Sequence, residues 1–117
     1  ADVGRENERL LCLERSTARP GTVPGYDQLA LLDVRSGARA IYNYGDDWMV
    51  EEHLLIAERG SSLPRWAVGT ALDLRARATT VTVFAIDGGE IDLLAQARLP
   101  YALPLGLHGT FVRAADA

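Results

Sequence analysis

Three features of this sequence predict an all-β fold. Short apolar runs follow one another along its 117 residues, and clusters of Gly, Asp, Ser and Pro separate them. No stretch combines a 3.6-residue apolar period with helix caps. With 48% apolar residues, the chain can furnish the core of one small domain.

Seven strands are expected, in order: Arg9–Glu14, Tyr26–Val34, Ala38–Tyr44, Glu51–Ala57, Arg65–Asp73, Thr79–Asp87 and Glu90–Leu99. The runs "AIYNY" and "TVTVF" carry the β-branched and aromatic residues that suit a pleated, half-buried surface. Between strands, "DVRSGA" (Asp33–Ala38) and "DGGE" (Asp87–Glu90) supply residues that tolerate a tight hairpin. The stretch "RPGTVPG" (Arg19–Gly25) holds two Pro-Gly breakers and reads as a fixed loop. "LDLRARA" (Leu72–Ala78) is the best helix candidate, and it is short.

Hairpin-linked strands at this spacing fit a sandwich, a barrel or propeller blades. Runs such as "LALLDV" and "HLLIA" are apolar on both faces, so they need cover from both sides. About seven strands do not easily provide that cover alone. The chain also opens abruptly on "ADVGRENERLL", and a fragment of a longer protein is expected.

The net charge of −4 argues against a nucleic-acid footprint, which needs clustered positive charge. All 12 basic residues are arginines scattered along the chain, a pattern expected from a GC-rich bacterial gene. Cys12 is the only cysteine, which excludes an internal disulfide and a thiolate metal cluster. In "RLLCLE" it is expected to be a buried structural thiol. No apolar stretch approaches the roughly 20 residues of a membrane span, and no signal peptide is expected. A cytoplasmic location is the expectation.

Of two histidines, His108 sits in "LPYALPLGLHGTF" (Leu99–Phe111). Pro100 and Pro104 fix φ there, while Gly106 and Gly109 allow close backbone approach. Such rigidity suits a ring nitrogen held about 2 Å from a metal, and equally suits a tight corner. Glu52, in "VEEHLLIAERG", is the second candidate; the alternative is a solvated strand entrance. Regular alternation places Glu52, Leu54 and Ile56 on one face and His53, Leu55 and Ala57 on the other. His53 is then an ordinary structural histidine. Asp46 and Asp47 read as a turn, and no phosphate loop, Ser-His-Asp order or Cys-x-x-Cys is present.

The order of these motifs is more specific than any one of them. "EEHLLIAERG", "LPRWAVGTALD", "TTVTVFAID" and "ARLPYALPLGLHGTF" together resemble the C-terminal part of the carotenoid cleavage oxygenases. That family ends in Leu-Pro-x-Arg-Val-Pro-x-Gly-Phe-His-Gly-x-Trp. Leu99, Pro100, Pro104, Gly106, His108 and Gly109 match it in register. Ala102, Leu107, Phe111 and His53 depart from it, standing where the family has arginine, phenylalanine, tryptophan and proline.

The resemblance implies a seven-bladed β-propeller, of which this chain is the last one to two blades, with residues 1–117 forming part of a single domain. It implies Fe(2+) held by four histidines, with glutamates behind them orienting the rings. On this reading His108 is an iron ligand, Glu52 is one of those glutamates, and Leu107 and Phe111 line a substrate pocket or a corner. The implied reaction is dioxygen-dependent cleavage of a conjugated double bond in a carotenoid, apocarotenoid or stilbenoid. The implied partners are the remainder of the propeller, an apolar or phenolic alkene and dioxygen. The competing reading is a small non-enzymatic β-sandwich or propeller-blade binding module.

Overall fold

The computed structural model describes residues 9–104 and 110–114. Among these residues seven strands form: β1 (Arg9–Glu14), β2 (Gln28–Asp33), β3 (Arg39–Asn43), β4 (Trp48–Ala57), β5 (Pro64–Asp73), β6 (Ala78–Asp87) and β7 (Glu90–Arg98). They make two antiparallel sheets in strict sequence order, β1-β2-β3 and β4-β5-β6-β7. Each neighbour is joined by a local connection, which antiparallel pairing permits. Each expected strand is present, most of them within a few residues of the expected bounds. Among the described residues no helix is long and apolar enough to cross a membrane.

The core lies between the sheets. Leu29 and Leu31 of β2 meet Val50, Ala67, Ala71, Phe84, Ile86 and Ile91, and Leu11, Leu13, Ala40 and Tyr42 pack around them. Phe84 is fully buried at the centre. Burying a side chain of that size stabilises by about 1.5–3 kcal/mol. Tyr42 lies edge-on to Phe84 with ring centroids 4.7 Å apart, and Tyr44 lies edge-on to Tyr42 at 5.2 Å. These rings join the first sheet to the second.

One helix candidate falls away, and one expectation needs correction. Leu72–Ala78 is not helical: β5 ends at Asp73, four turn residues follow, and β6 begins at Ala78. The Asp73 carboxylate accepts from the N–H groups of Arg75 and Ala76, both at 3.0 Å, so side-chain capping closes a hairpin where a helix would otherwise start. Cys12 is exposed rather than buried. Leu11 and Leu13 take the core face of β1, and the period of two turns Cys12 outward beside Leu10.

The Arg19–Gly25 loop is fixed, as expected, and the structure shows arginines holding it. Arg15 donates to the carbonyls of Val23, Pro20 and Gly25. Arg19 is buried and donates to Pro24 and Trp48, both at 2.7 Å. Asp27, also buried, accepts from the Ser16 N–H at 2.7 Å and from the Ser16 hydroxyl. Burial alone raises the Asp27 pKa, but the Ser16 donors outweigh it and hold the carboxyl below its ordinary value. Asp46 and Asp47 do form a turn, and the Asp47 carbonyl accepts from the Leu74 N–H at 2.7 Å.

Candidate functional site

The second sheet departs from regular pairing in β4. Val50 pairs with Ala71 and His53 with Gly69, so Glu51 and Glu52 together stand opposite the single residue Thr70. This is a β-bulge, which re-aims side chains at the cost of one unpaired residue. Without it, Val50 and His53, three residues apart, would face opposite ways. With it, both reach the core: Val50 joins the central cluster, and the His53 ring sits 5.8 Å from that of Phe84.

The bulge sets the two carboxylates apart from the core. Ala71 and Gly69 face the core with their partners, so Thr70 between them faces the other side of the sheet. Thr70 Oγ1 donates to Glu51 Oε1 at 3.2 Å, which puts the Glu51 side chain on that side too. Glu51 is only 8% exposed, and Glu52 is half-buried. The alternation expected through His53 and Leu55 holds beyond the bulge, since both reach the core.

His53 is itself fully engaged. Its Nδ1 lies 2.7 Å from the Glu51 carbonyl oxygen, and its Nε2 lies 2.9 Å from the Tyr44 hydroxyl. A carbonyl can only accept, so Nδ1 carries the proton and Nε2 accepts from Tyr44. Burial holds the His53 pKa below its ordinary value and keeps the ring neutral. Burial also pushes the Tyr44 phenol well above its ordinary value, so it remains a donor. Sequence reasoning missed this arrangement. The only signal for it was a tyrosine nine residues before a histidine.

Beyond β7 the chain first continues along the edge of β6, and Leu103 then reaches Thr79 on the side of the sheet that Thr70 faces. Leu99 donates to the Thr79 carbonyl at 2.8 Å, Thr79 donates to the Tyr101 carbonyl at 3.0 Å, and Leu103 donates to Thr79 Oγ1 at 2.9 Å. Thr79 pairs with Leu72, so its side chain lies off the core and is covered there, only 1% exposed. Further along, Arg113 donates to the Ala57 carbonyl at 2.7 Å, at the far end of β4. The two ties fall on either side of the Glu51–Glu52 bulge: the row through Thr79 and Leu72 meets β4 at Met49, and Ala57 closes that strand. Phe111 is half-exposed and lies against the Arg113 guanidinium, 5.8 Å from its ring centre. His108 and Leu107 lie outside the described residues. Among the described residues, no three His, Cys, Asp or Glu side chains group closely enough to hold a metal ion.

The architecture is that of stacked antiparallel blades, and comparisons with known proteins bear on it directly. The lignostilbene dioxygenase of Pseudomonas brassicacearum superposes with a TM-score of 0.78 at 19% identity. The match covers 90% of this chain and 24% of that one. At that identity the likeness shows the fold, which is that of a β-propeller oxygenase. The family model described as RPE65, retinal pigment epithelial membrane protein, matches residues 2–113. The chain therefore belongs to the carotenoid oxygenase family. No curated protein sequence is significantly similar to it.

Proposed function

We propose that this chain is the C-terminal part of a single propeller domain in an iron(II)-dependent dioxygenase. The whole enzyme would cleave a conjugated carbon–carbon double bond of a carotenoid, apocarotenoid or stilbenoid into two carbonyl products. The observation that supports this reading is the pair of ties made by the C-terminal residues at Leu103 and Arg113. In sequence, His108 lies between Leu103, tied to Thr79, and Arg113, tied to Ala57, and these ties fall on either side of the carboxylate bulge.

The residues present fit a supporting share of such a centre. His53 offers no free ring nitrogen, since both are engaged. That leaves His108 as this chain's histidine available to hold the metal, and Glu52 would accept from the ring N–H that the metal does not use. Such a carboxylate fixes the tautomer and orientation of an imidazole ligand, and losing it typically costs about 10–100-fold in affinity or activity. The remaining ligands would come from the rest of the propeller. Iron(II), when bound, supplies the redox chemistry that couples dioxygen to an alkene, which no side chain here can provide.

The alternative for Glu52, a solvated strand entrance, sits poorly with a bulge that half-buries it and fully buries its neighbour. Phe111, with Ala102 and Leu107, stands where the family carries larger side chains, which favours a roomier pocket or a repacked corner. A substrate panel read by product mass would choose among alkene classes.

In the whole protein, His108→Ala is expected to abolish stoichiometric iron, measured by metal analysis after desalting. Glu52→Gln is expected to weaken iron retention or turnover about 10–100-fold. Full iron in the first variant removes His108 from the ligand set. Wild-type retention and turnover in the second return Glu52 to the solvated reading.

A further inference from the structure

The bulge that presents Glu52 must be held open by something, because a regular ladder pairs every residue and a bulge forgoes one pair. Three groups converge on it. The His53 ring turns back along its own strand and donates through Nδ1 to the Glu51 carbonyl, 2.7 Å away. That contact spans the two bulged residues and fixes the carbonyl immediately before Glu52. On its far side, Nε2 accepts from Tyr44, which reaches in from the residue after β3. Beneath the ring lies Gly69. A Cβ there would fall inside the van der Waals shell of His53 Cγ and Nδ1 and only 2.6 Å from the Glu52 carbonyl oxygen.

The absence of a side chain at residue 69 is thus what allows the ring and the Glu52 backbone to lie where they do. Ring, hydroxyl and glycine come from three different strands or their ends, and all three act on the peptide units around Glu51 and Glu52. The neutral, single-tautomer ring is suited to the task, since protonated imidazole could no longer accept from Tyr44.

We propose that His53 is a positioning residue: seated on Gly69 and held by Tyr44, it grips the Glu51 carbonyl and so sets the bulge from which Glu52 is presented. This rests on the reading above, in which Glu52 supports the iron site. His53 acts through the backbone and touches neither metal nor substrate.

The test is a double-mutant cycle in the whole protein, read by iron affinity at buffered metal concentrations and by amide exchange over residues 50–53. His53→Leu should weaken iron binding about 10-fold, the lower end of the loss expected for a removed supporting carboxylate. It should also speed exchange in the bulge. His53→Asn, whose amide nitrogen stands near the position of Nδ1, should recover most of the affinity. Tyr44→Phe, which removes one hydroxyl, should give a smaller loss in the same direction and serves if His53→Leu does not fold. His53→Leu combined with Glu52→Gln should be no weaker than Glu52→Gln alone, because both act on one carboxylate.

A Leu29→Ala variant, destabilised in the first sheet, should keep its iron affinity and so separates positioning from general stability. If Glu52→Gln weakens iron binding and the His53 and Tyr44 variants do not, the positioning role is overturned while the site reading stands. Additive losses in the cycle, or unchanged exchange in the bulge, would overturn the positioning role in the same way. If Glu52→Gln itself leaves iron affinity unchanged, the site reading and the positioning role fall together.

Discussion

The two sheets are built with the same hairpin and put to different uses. β2 and β3 are joined through Asp33–Ala38, and β5 and β6 through Asp73–Ala78. In both, the leading aspartate caps the turn through Oδ1: Asp33 accepts from Arg35 and Ser36, and Asp73 from Arg75 and Ala76. In both, a residue at the end of the turn has positive φ, Gly37 at 74° and Arg77 at 54°. The local chemistry is therefore generic to the scaffold. The sheets differ in what they face. The first packs one side on the core and exposes Leu10, Cys12 and Ile41 on the other. The second has the core on one side and, on the other, a bulge bearing two carboxylates and a C-terminal segment tied to Thr79 and Ala57. Repeated hairpins make blades, and the irregularity in one strand makes the candidate site.

The sharpest way to break that comparison is at its glycines. Gly69→Ala is expected to cost about 3 kcal/mol, the upper range for overpacking a filled site. It should lower the unfolding midpoint in denaturant, and the added His53→Ala change should relieve only part of the loss, because the Glu52 carbonyl still meets the new Cβ. A small loss in Gly69→Ala would mean that the bulge yields easily. Gly37→Ala has open space around it and loses only through its backbone conformation, about 1 kcal/mol.

The second hairpin offers the converse. Arg77 occupies a conformation that L-residues avoid, so Arg77→Gly is expected to leave stability unchanged or raise it by less than about 1 kcal/mol. A clear loss would show that its side chain contributes more than the strain costs.

Acidification should separate the sheets more gently. His53 in the second sheet is held below its ordinary pKa of 6.5, so the unfolded chain binds a proton first as pH falls. Its contribution is complete above about pH 6.5 and declines as pH drops toward the folded value. Asp27, beside the first sheet, is held below 3.8, so its contribution survives until pH falls past that value. Stability measured against pH should therefore fall in two windows. His53→Asn should erase the upper one and leave the lower; an unchanged upper window would assign it to another group.

Much of the fold was legible in advance because strand signals are local. Alternating apolar residues and turn-forming clusters located all seven strands, and the two Pro-Gly breakers marked the held loop. Where the reading fell short, the cause was a side-chain cap, a strand's phase or a partner elsewhere in the chain. "LDLRARA" has helix-forming residues, yet Asp73 caps the backbone into a turn, and its other oxygen is bridged by Arg98 at 2.6 Å. Cys12 looked like a core residue from its apolar neighbours, but its phase along β1 faces it outward. Arg19 carried no signal of burial, because the carbonyls that receive it lie as far along the chain as Trp48.

By itself, the sequence determined the class of fold, the order of the strands, and the histidine and glutamate worth examining. The first two follow from side-chain periodicity and short-range turn chemistry, and the roles of the two residues from the resemblance of the motif order to a family. What only the tertiary structure decided is the phase of β4. Two adjacent glutamates satisfy regular alternation as well as they satisfy a bulge, and nothing within the strand distinguishes the two. The choice depends on a glycine on β5 that leaves room for an imidazole and on a tyrosine beside β3 that holds it, contacts that exist only once the sheets have come together.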